Sequence, residues 1–123
     1  MRRQPWASER AGSVRAYVSH SCEIAHTTSA PVARVAVTGE IDMACAWEVA
    51  DVVFDAATRG GVVRVVADLS RVTFMDSTGV SALVAAKQAL DANGQELVVS
   101  AVPDGVAQIL KITGVDEILT VEP

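Results

Sequence analysis

The sequence predicts an α/β domain built on a mostly parallel mixed β-sheet of four to five strands, with an N-terminal β-hairpin and helices packed against it. Three observations carry this. After two strand-like segments near the start, helical and strand patterns alternate to the end of the chain, the arrangement of successive crossover units. Val62–Leu69 is a nearly continuous apolar, β-branched run, as expected for an inner strand covered on both faces. The chain has 123 residues, half of them apolar, enough for one core and one domain.

Residues 1–12 read as a flexible polar tail, leaving 13–123 as the domain. Paired arginines near the start are followed by no apolar stretch, so the tail is not a signal peptide. From Val14 to Ile24 apolar and polar residues alternate, the pattern of a half-buried strand. His20 interrupts the apolar side and reads as a structural histidine, because no second ligand lies near it. His26-Thr-Thr-Ser-Ala-Pro31 has turn composition, and Val32–Thr38 completes the hairpin.

Gly39-Glu-Ile-Asp42 ends that strand, and Asp42 is placed to cap the helix that follows. This helix, about 43–58, carries Glu48, Asp51, Asp55 and Arg59 on one polar stripe, with Trp47, Val49, Val52, Val53 and Phe54 largely elsewhere. Gly60-Gly61 stops it and is no phosphate loop, since no Gly-Lys-Ser/Thr follows. After the Val62–Leu69 strand comes the stretch Asp68–Ser81. Ser77 falls there on the first turn of a second helix, about 78–92, beside Asp76 and two residues before Gly79. A hydroxyl at a helix N-terminus meets unpaired N–H groups and a positive dipole end, which suits a cap or a phosphate. The first turns of this helix are apolar almost all round, which implies deep burial or a docked partner. Asn93-Gly94 ends it, residues 95–101 form a strand, Pro103 opens a third helix, and residues 117–121 form a last short strand or extended tail.

The balance of 10 basic against 15 acidic residues gives a net charge of −5. With the Lys and Arg scattered, it argues against nucleic-acid binding and for a protein partner. No uncharged apolar run reaches the roughly 18 residues of a membrane span. Cys22 and Cys45 match no zinc or CxxC spacing and read as buried free thiols, one in a strand and one in a helix, in preference to a redox switch. Asp68 and Asp76 read as capping and turn carboxylates, so no metal and no cofactor are expected. Both loops, Gly39–Asp42 and Asp68–Gly79, follow strand ends and so could share one rim of the sheet.

Four motifs in order, Val37-Thr-Gly-Glu-Ile-Asp42, Asp68-Leu-Ser70, Phe74-Met-Asp-Ser-Thr-Gly79 and Ile112-Thr-Gly-Val115, give residues 14–121 a resemblance to the STAS domain. In its free-standing form this looks like a bacterial anti-sigma factor antagonist. The resemblance implies a cytoplasmic, non-enzymatic regulator whose unphosphorylated form binds an anti-sigma factor with serine kinase activity and so frees the sigma factor. It also implies phosphorylation at Ser77, with Thr78 as a minor acceptor, and a serine phosphatase that reverses it. The partner-binding surface it implies comprises Glu40, Asp42, Asp76, Ser77, Thr78, Gly79, Val80 and Ser81. A sensory or scaffold STAS module within a larger signalling assembly, binding a small ligand or nucleotide, is the alternative. A hydrolase built on Ser77 fits poorly: Met75 replaces the first glycine of a Gly-x-Ser-x-Gly elbow, and both histidines precede the serine.

Overall fold

A computed structural model describes the backbone of Arg2–Arg3 and of Val14–Val18, and residues 21–123. The expected tail lies largely outside these residues, as does His20. The elements in chain order are β1 (Arg2–Arg3), β2 (Val14–Val18), β3 (Cys22–Ser29), β4 (Val32–Ile41), α1 (Ala46–Ala57), β5 (Arg64–Met75), α2 (Ser77–Ala92), β6 (Glu96–Ser100), α3 (Asp104–Ile112), a 3-10 turn (Val115–Glu117) and β7 (Thr120–Glu122). They form one sheet whose strands lie in sequence order. β1 to β4 pair antiparallel, and β4 to β7 pair parallel through the helical crossovers. Five strands have five residues or more, and the short β1 and β7 form the edges.

One strand expected over 14–24 is two. β2 and β3 form a hairpin of their own, Val18 opposite Glu23, ahead of the β3–β4 hairpin. Periodicity could not reveal the break, because Val18 and Cys22 are four residues apart and the even-numbered apolar series runs on through the reversal. The polar run His26–Ser29, read as a turn, is strand; only Ala30 and Pro31 reverse the chain there, across a cis peptide bond. His26 is buried within β3, with Nε2 2.6 Å from Thr28 Oγ1.

β5 is longer than its apolar run. It continues past Leu69 to Met75, because Arg71, Val72, Phe74 and Met75 pair with Thr38, Gly39, Glu40 and Ile41 of β4 across two register shifts. Asp68 and Ser70 mark a change of strand partner rather than a strand end, since β6 pairs only with Arg64–Asp68.

The core fills one face of the sheet: Ile24, Val35, Val37, Val65, Ala67, Leu69, Leu97 and Val99 meet Val49, Val53, Ala56, Leu83, Leu90, Val106 and Leu110 of the helices. Val66 and Val98, side by side on the opposite face, are also buried, so β5 is covered on both sides as its sequence implied. α1 buries Val49, Val52 and Val53, but Trp47 and Phe54 are 50% and 45% exposed, contrary to the expectation that they face away from the polar stripe. Trp47 and Phe54, seven residues apart, share one stripe of the helix turned away from the buried Val49, Val53 and Ala56. α2 spans Ser77–Ala92 and buries Gly79, Val80, Ala82, Leu83, Ala86 and Leu90.

Candidate functional site

Ile41 and Met75 are the last residues of the parallel neighbours β4 and β5, and they sit opposite each other in the register. The chain segments that follow them therefore leave the same edge of the sheet. Asp76 N donates to Ile41 O at 3.3 Å, stitching the two exits together. Gly39–Asp42 and Asp76–Gly79 thus share a rim at the carboxyl edge, the usual place for a site in such sheets.

On the α2 side, Asp76 is the N-cap. Its backbone is extended, and its Oδ1 accepts from Gly79 N at 3.1 Å. Ser77 is exposed at the first position of the 16-residue helix, Thr78 is half-buried, and Ser81 is exposed one turn on. The first amides of a helix have no acceptor within it; Asp76 satisfies Gly79, and an anion on Ser77 would stand at the positive end of α2. Gly79 and Val80 are buried and shape the surface from beneath. A Cβ on Gly79 would lie 2.6 Å from Met75 Cγ and 2.9 Å from Ile41 O, so a side chain there would push α2 away from β4.

On the β4 side, Asp42 does not cap α1 as expected. The N-cap is Cys45, without a side-chain cap bond, and residues 42–45 form a turn ahead of the helix. Asp42 instead fastens this turn to the β3 entrance. Ser21 Oγ donates to Asp42 Oδ1 at 2.7 Å, Ala44 N donates to the same oxygen at 2.9 Å, and Cys45 N and Ala46 N donate to Asp42 O. The Ser21 and Ala44 bonds hold the Asp42 carboxyl below its ordinary pKa, against a small opposing effect of burial. Glu40 is exposed, and its N–H donates to Ser21 O at 3.0 Å. Gly39, at φ +112°, lets the strand pass Ser21, whose carbonyl oxygen would lie 2.6 Å from a Cβ there.

Two exposed apolar residues border the rim and were missed by sequence reasoning. Met43 follows Asp42 and is 78% exposed; Phe74 lies opposite Glu40 in the register, three residues before Ser77, and is 47% exposed. The signal for Phe74 was present in the alternation: in a strand that buries Met75, its neighbour faces the other way. Exposed apolar groups gathered around polar ones are a usual mark of a contact surface. Asp68 stands apart from this rim. Burial pushes its carboxyl up, but bonds from the Ser70 N–H and hydroxyl and the charges of Arg34 and Arg71 outweigh that and lower it. No group of three or more metal-binding side chains occurs among the described residues.

Cys22 and Cys45 are not free thiols. They are joined as a disulfide, Cα atoms 6.3 Å apart, linking the start of β3 to the N-cap of α1. Neither cysteine lies inside a helix. The sequence gap of 23 residues gave no hint of the pairing, which comes from the turn at 42–45 folding back over β3.

The STAS domain profile matches residues 23–123. The anti-sigma-B factor antagonist of Staphylococcus aureus (strain NCTC 8325 / PS 47) is 31% identical over 95 residues, covering 77% of this chain and 87% of the relative. A crystal structure of an anti-sigma factor antagonist from Mycobacterium paratuberculosis superimposes with a TM-score of 0.73 at 26% identity, over 84% of this chain and 86% of that one. The fold is also that of the anti-sigma factor antagonist SpoIIAA. Its unphosphorylated form gives a TM-score of 0.68 at 17% identity over 81% of this chain and 88% of that one. Its phosphorylated form gives 0.62 at 16% identity over 81% and 91%.

Proposed function

This chain belongs to the STAS domain family, and from that premise we propose that it is an anti-sigma factor antagonist that switches partners through Ser77. The unphosphorylated form binds an anti-sigma factor with serine kinase activity in the cytoplasm, releasing a sigma factor. Phosphorylation of Ser77 ends the binding, and a serine phosphatase restores it. The chain is then the substrate of the switch and no enzyme.

The observation that carries this reading is the position of Ser77: exposed, at the first residue of α2, next to the Asp76 cap and on the same rim as Glu40, Asp42 and Met43. A kinase can reach such a hydroxyl, and a close-fitting partner must cover it. A phosphate adds about −1.5 to −2 charges at neutral pH. The helix N-terminus accommodates that charge locally, but the added group stands beside Asp76 on surface that a close-fitting partner must cover, so binding is lost to steric and charge conflict. The fold need not change, because Ser77 is exposed and outside the core; the shared fold of the two SpoIIAA forms supports this.

The test is co-purification with the unmodified chain, Ser77→Ala and Ser77→Asp from the native host. The first two are expected to retain an anti-sigma factor kinase and Ser77→Asp to lose it. Retention by Ser77→Asp at wild-type affinity would sink the switch. Phosphate incorporation that persists in Ser77→Ala would move the site to Thr78.

A further inference from the structure

The Cys22–Cys45 bond lies directly beneath the rim and runs parallel to its hydrogen bonds. Cys22 follows Ser21, whose hydroxyl holds Asp42 and whose carbonyl holds Glu40 N; Cys45 follows the Asp42–Ala44 turn and donates its own N–H to Asp42 O. The dithiol state is also provided for. Cys45 Sγ lies 3.1 Å from Glu40 O, so a thiol there has an acceptor already in place. The two chemical states of the pair thus both fit the fold, one with a covalent link between β3 and α1 and one with a weak hydrogen bond to the rim strand.

We propose that Cys22 and Cys45 are a redox modification site that controls the docking rim. The disulfide holds Glu40, Asp42 and Met43 in the arrangement described above, and the dithiol lets the turn at 42–45 open. This rests on the reading of the rim as a partner surface. The oxidant is of the low-molecular-weight disulfide class, such as oxidised glutathione. One cysteine thiolate attacks a sulfur of the oxidant, breaking its S–S bond and releasing one thiolate. The second cysteine thiolate attacks the resulting mixed disulfide, forms the Cys22–Cys45 bond and releases the other. Two electrons pass from the protein to the oxidant, and the two cysteine protons end on the two released thiols. Reduction is the reverse exchange with a dithiol. Both sulfurs are buried, so exchange proceeds through opening of the overlying turn, whose Met43 and Ala44 are exposed.

The experiment uses the full chain, equilibrated with oxidised glutathione or with excess dithiothreitol. Free thiols are counted by alkylation and mass. Hydrogen exchange is followed at the Ala44, Cys45 and Ala46 amides, and affinity is measured for the anti-sigma factor captured by the unmodified chain. The pair is expected to cycle reversibly with the circular-dichroism spectrum unchanged. Exchange at Cys45 and Ala46 should quicken about tenfold or more in the dithiol form. Affinity should fall about threefold or more as preorganisation is lost. Cys45→Ser should match the dithiol form in both buffers. A disulfide that resists dithiothreitol in the folded protein overturns the proposal, as does a dithiol form with unchanged exchange and affinity. A redox-dependent exchange rate with no anti-sigma factor bound in either state would remove the docking premise and with it the control of binding, leaving a redox-sensitive turn.

Discussion

Gly79 of α2 rests against the backbone of Ile41 with no space for a side chain: a Cβ would stand 2.9 Å from the Ile41 carbonyl oxygen. This contact brings the first turn of α2 onto the end of β4 and so sets Ser77 beside the Glu40–Met43 segment. Gly79→Ala is therefore expected to destabilise the fold. Two of the three nearest atoms belong to Ile41, one of them backbone, and relief requires α2 to shift. Overpacking of this kind costs about 1–3 kcal/mol, more than the up to about 1 kcal/mol that alanine gains over glycine within a helix. Urea denaturation checks the sign. A stability equal to or above wild type would show that α2 yields freely at this contact.

Asp76 supplies a separable contribution. Its Oδ1 accepts from Gly79 N, so Asp76→Ala is expected to cost about 1 kcal/mol of stability. Asp76→Asn keeps a capping oxygen and should lose a few tenths. Asp76→Asn also removes the negative charge next to residue 77, so Ser77→Asp should be less destabilising, or more stabilising, in that background than in wild type. Equal losses in the alanine and asparagine variants, measured by the same denaturation, would mean that the cap bond contributes nothing.

The Ser21–Asp42 bond predicts a pH signature. Asp42 is held below its ordinary 3.8 in the folded state. A depressed carboxyl contributes stability that is fully present above the unfolded value and is lost as pH falls through the folded one. Removing the Ser21 hydroxyl takes away the largest cause of the depression. In Ser21→Ala the Asp42 titration, followed by NMR at its carboxyl carbon, should move up toward 3.8. The stability difference from wild type that is due to ionised Asp42 should be present at neutral pH and vanish in strong acid, where both carboxyls are protonated. An unmoved titration would show that Ala44 N alone sets the Asp42 environment.

Much of this arrangement could be read from residues. Asp76 before Ser77 is a capping residue before an apolar run, and it caps; Val62–Leu69 is apolar because β5 is covered on both sides. The shared rim expected of Gly39–Asp42 and Asp68–Gly79 is there for Asp76–Gly79 alone, since β5 runs on past Asp68 to Met75. What was hidden depended on partners distant in sequence. β5 runs to Met75 because β4 is there to pair with it, and the polar Asp68 and Ser70 look like a strand end only when that partner is out of view. Asp42 satisfies N-cap chemistry, yet Ser21, 21 residues earlier, takes its carboxylate into a turn. Trp47 and Phe54 are apolar by type but share a stripe of α1 turned away from the buried Val49, Val53 and Ala56.

Met43 and Phe74 give the sharpest test of the rim as a docking surface. Both are large, apolar and exposed, and they border Asp42 and Ser77 in the chain from opposite sides of the β4–β5 pair. Met43, 78% exposed in a turn, should change folding stability by no more than about 0.5 kcal/mol when replaced by Ser, whereas Phe74→Ser, which removes a half-covered ring from β5, should cost about 1 kcal/mol. Apolar groups at the centre of an interface can each cost about 2 kcal/mol or more of binding when truncated. Each variant should therefore bind the anti-sigma factor at least about tenfold more weakly while remaining folded in the absence of urea. The proposed control is Ile112→Ser, which removes an exposed apolar group at the end of α3, an element that packs chiefly on β5 and the 3-10 turn. Titration calorimetry separates the cases. Losses at Met43 and Phe74 but not at Ile112 place the partner on the rim, and equal affinities across all three variants would put the contact surface elsewhere on the molecule.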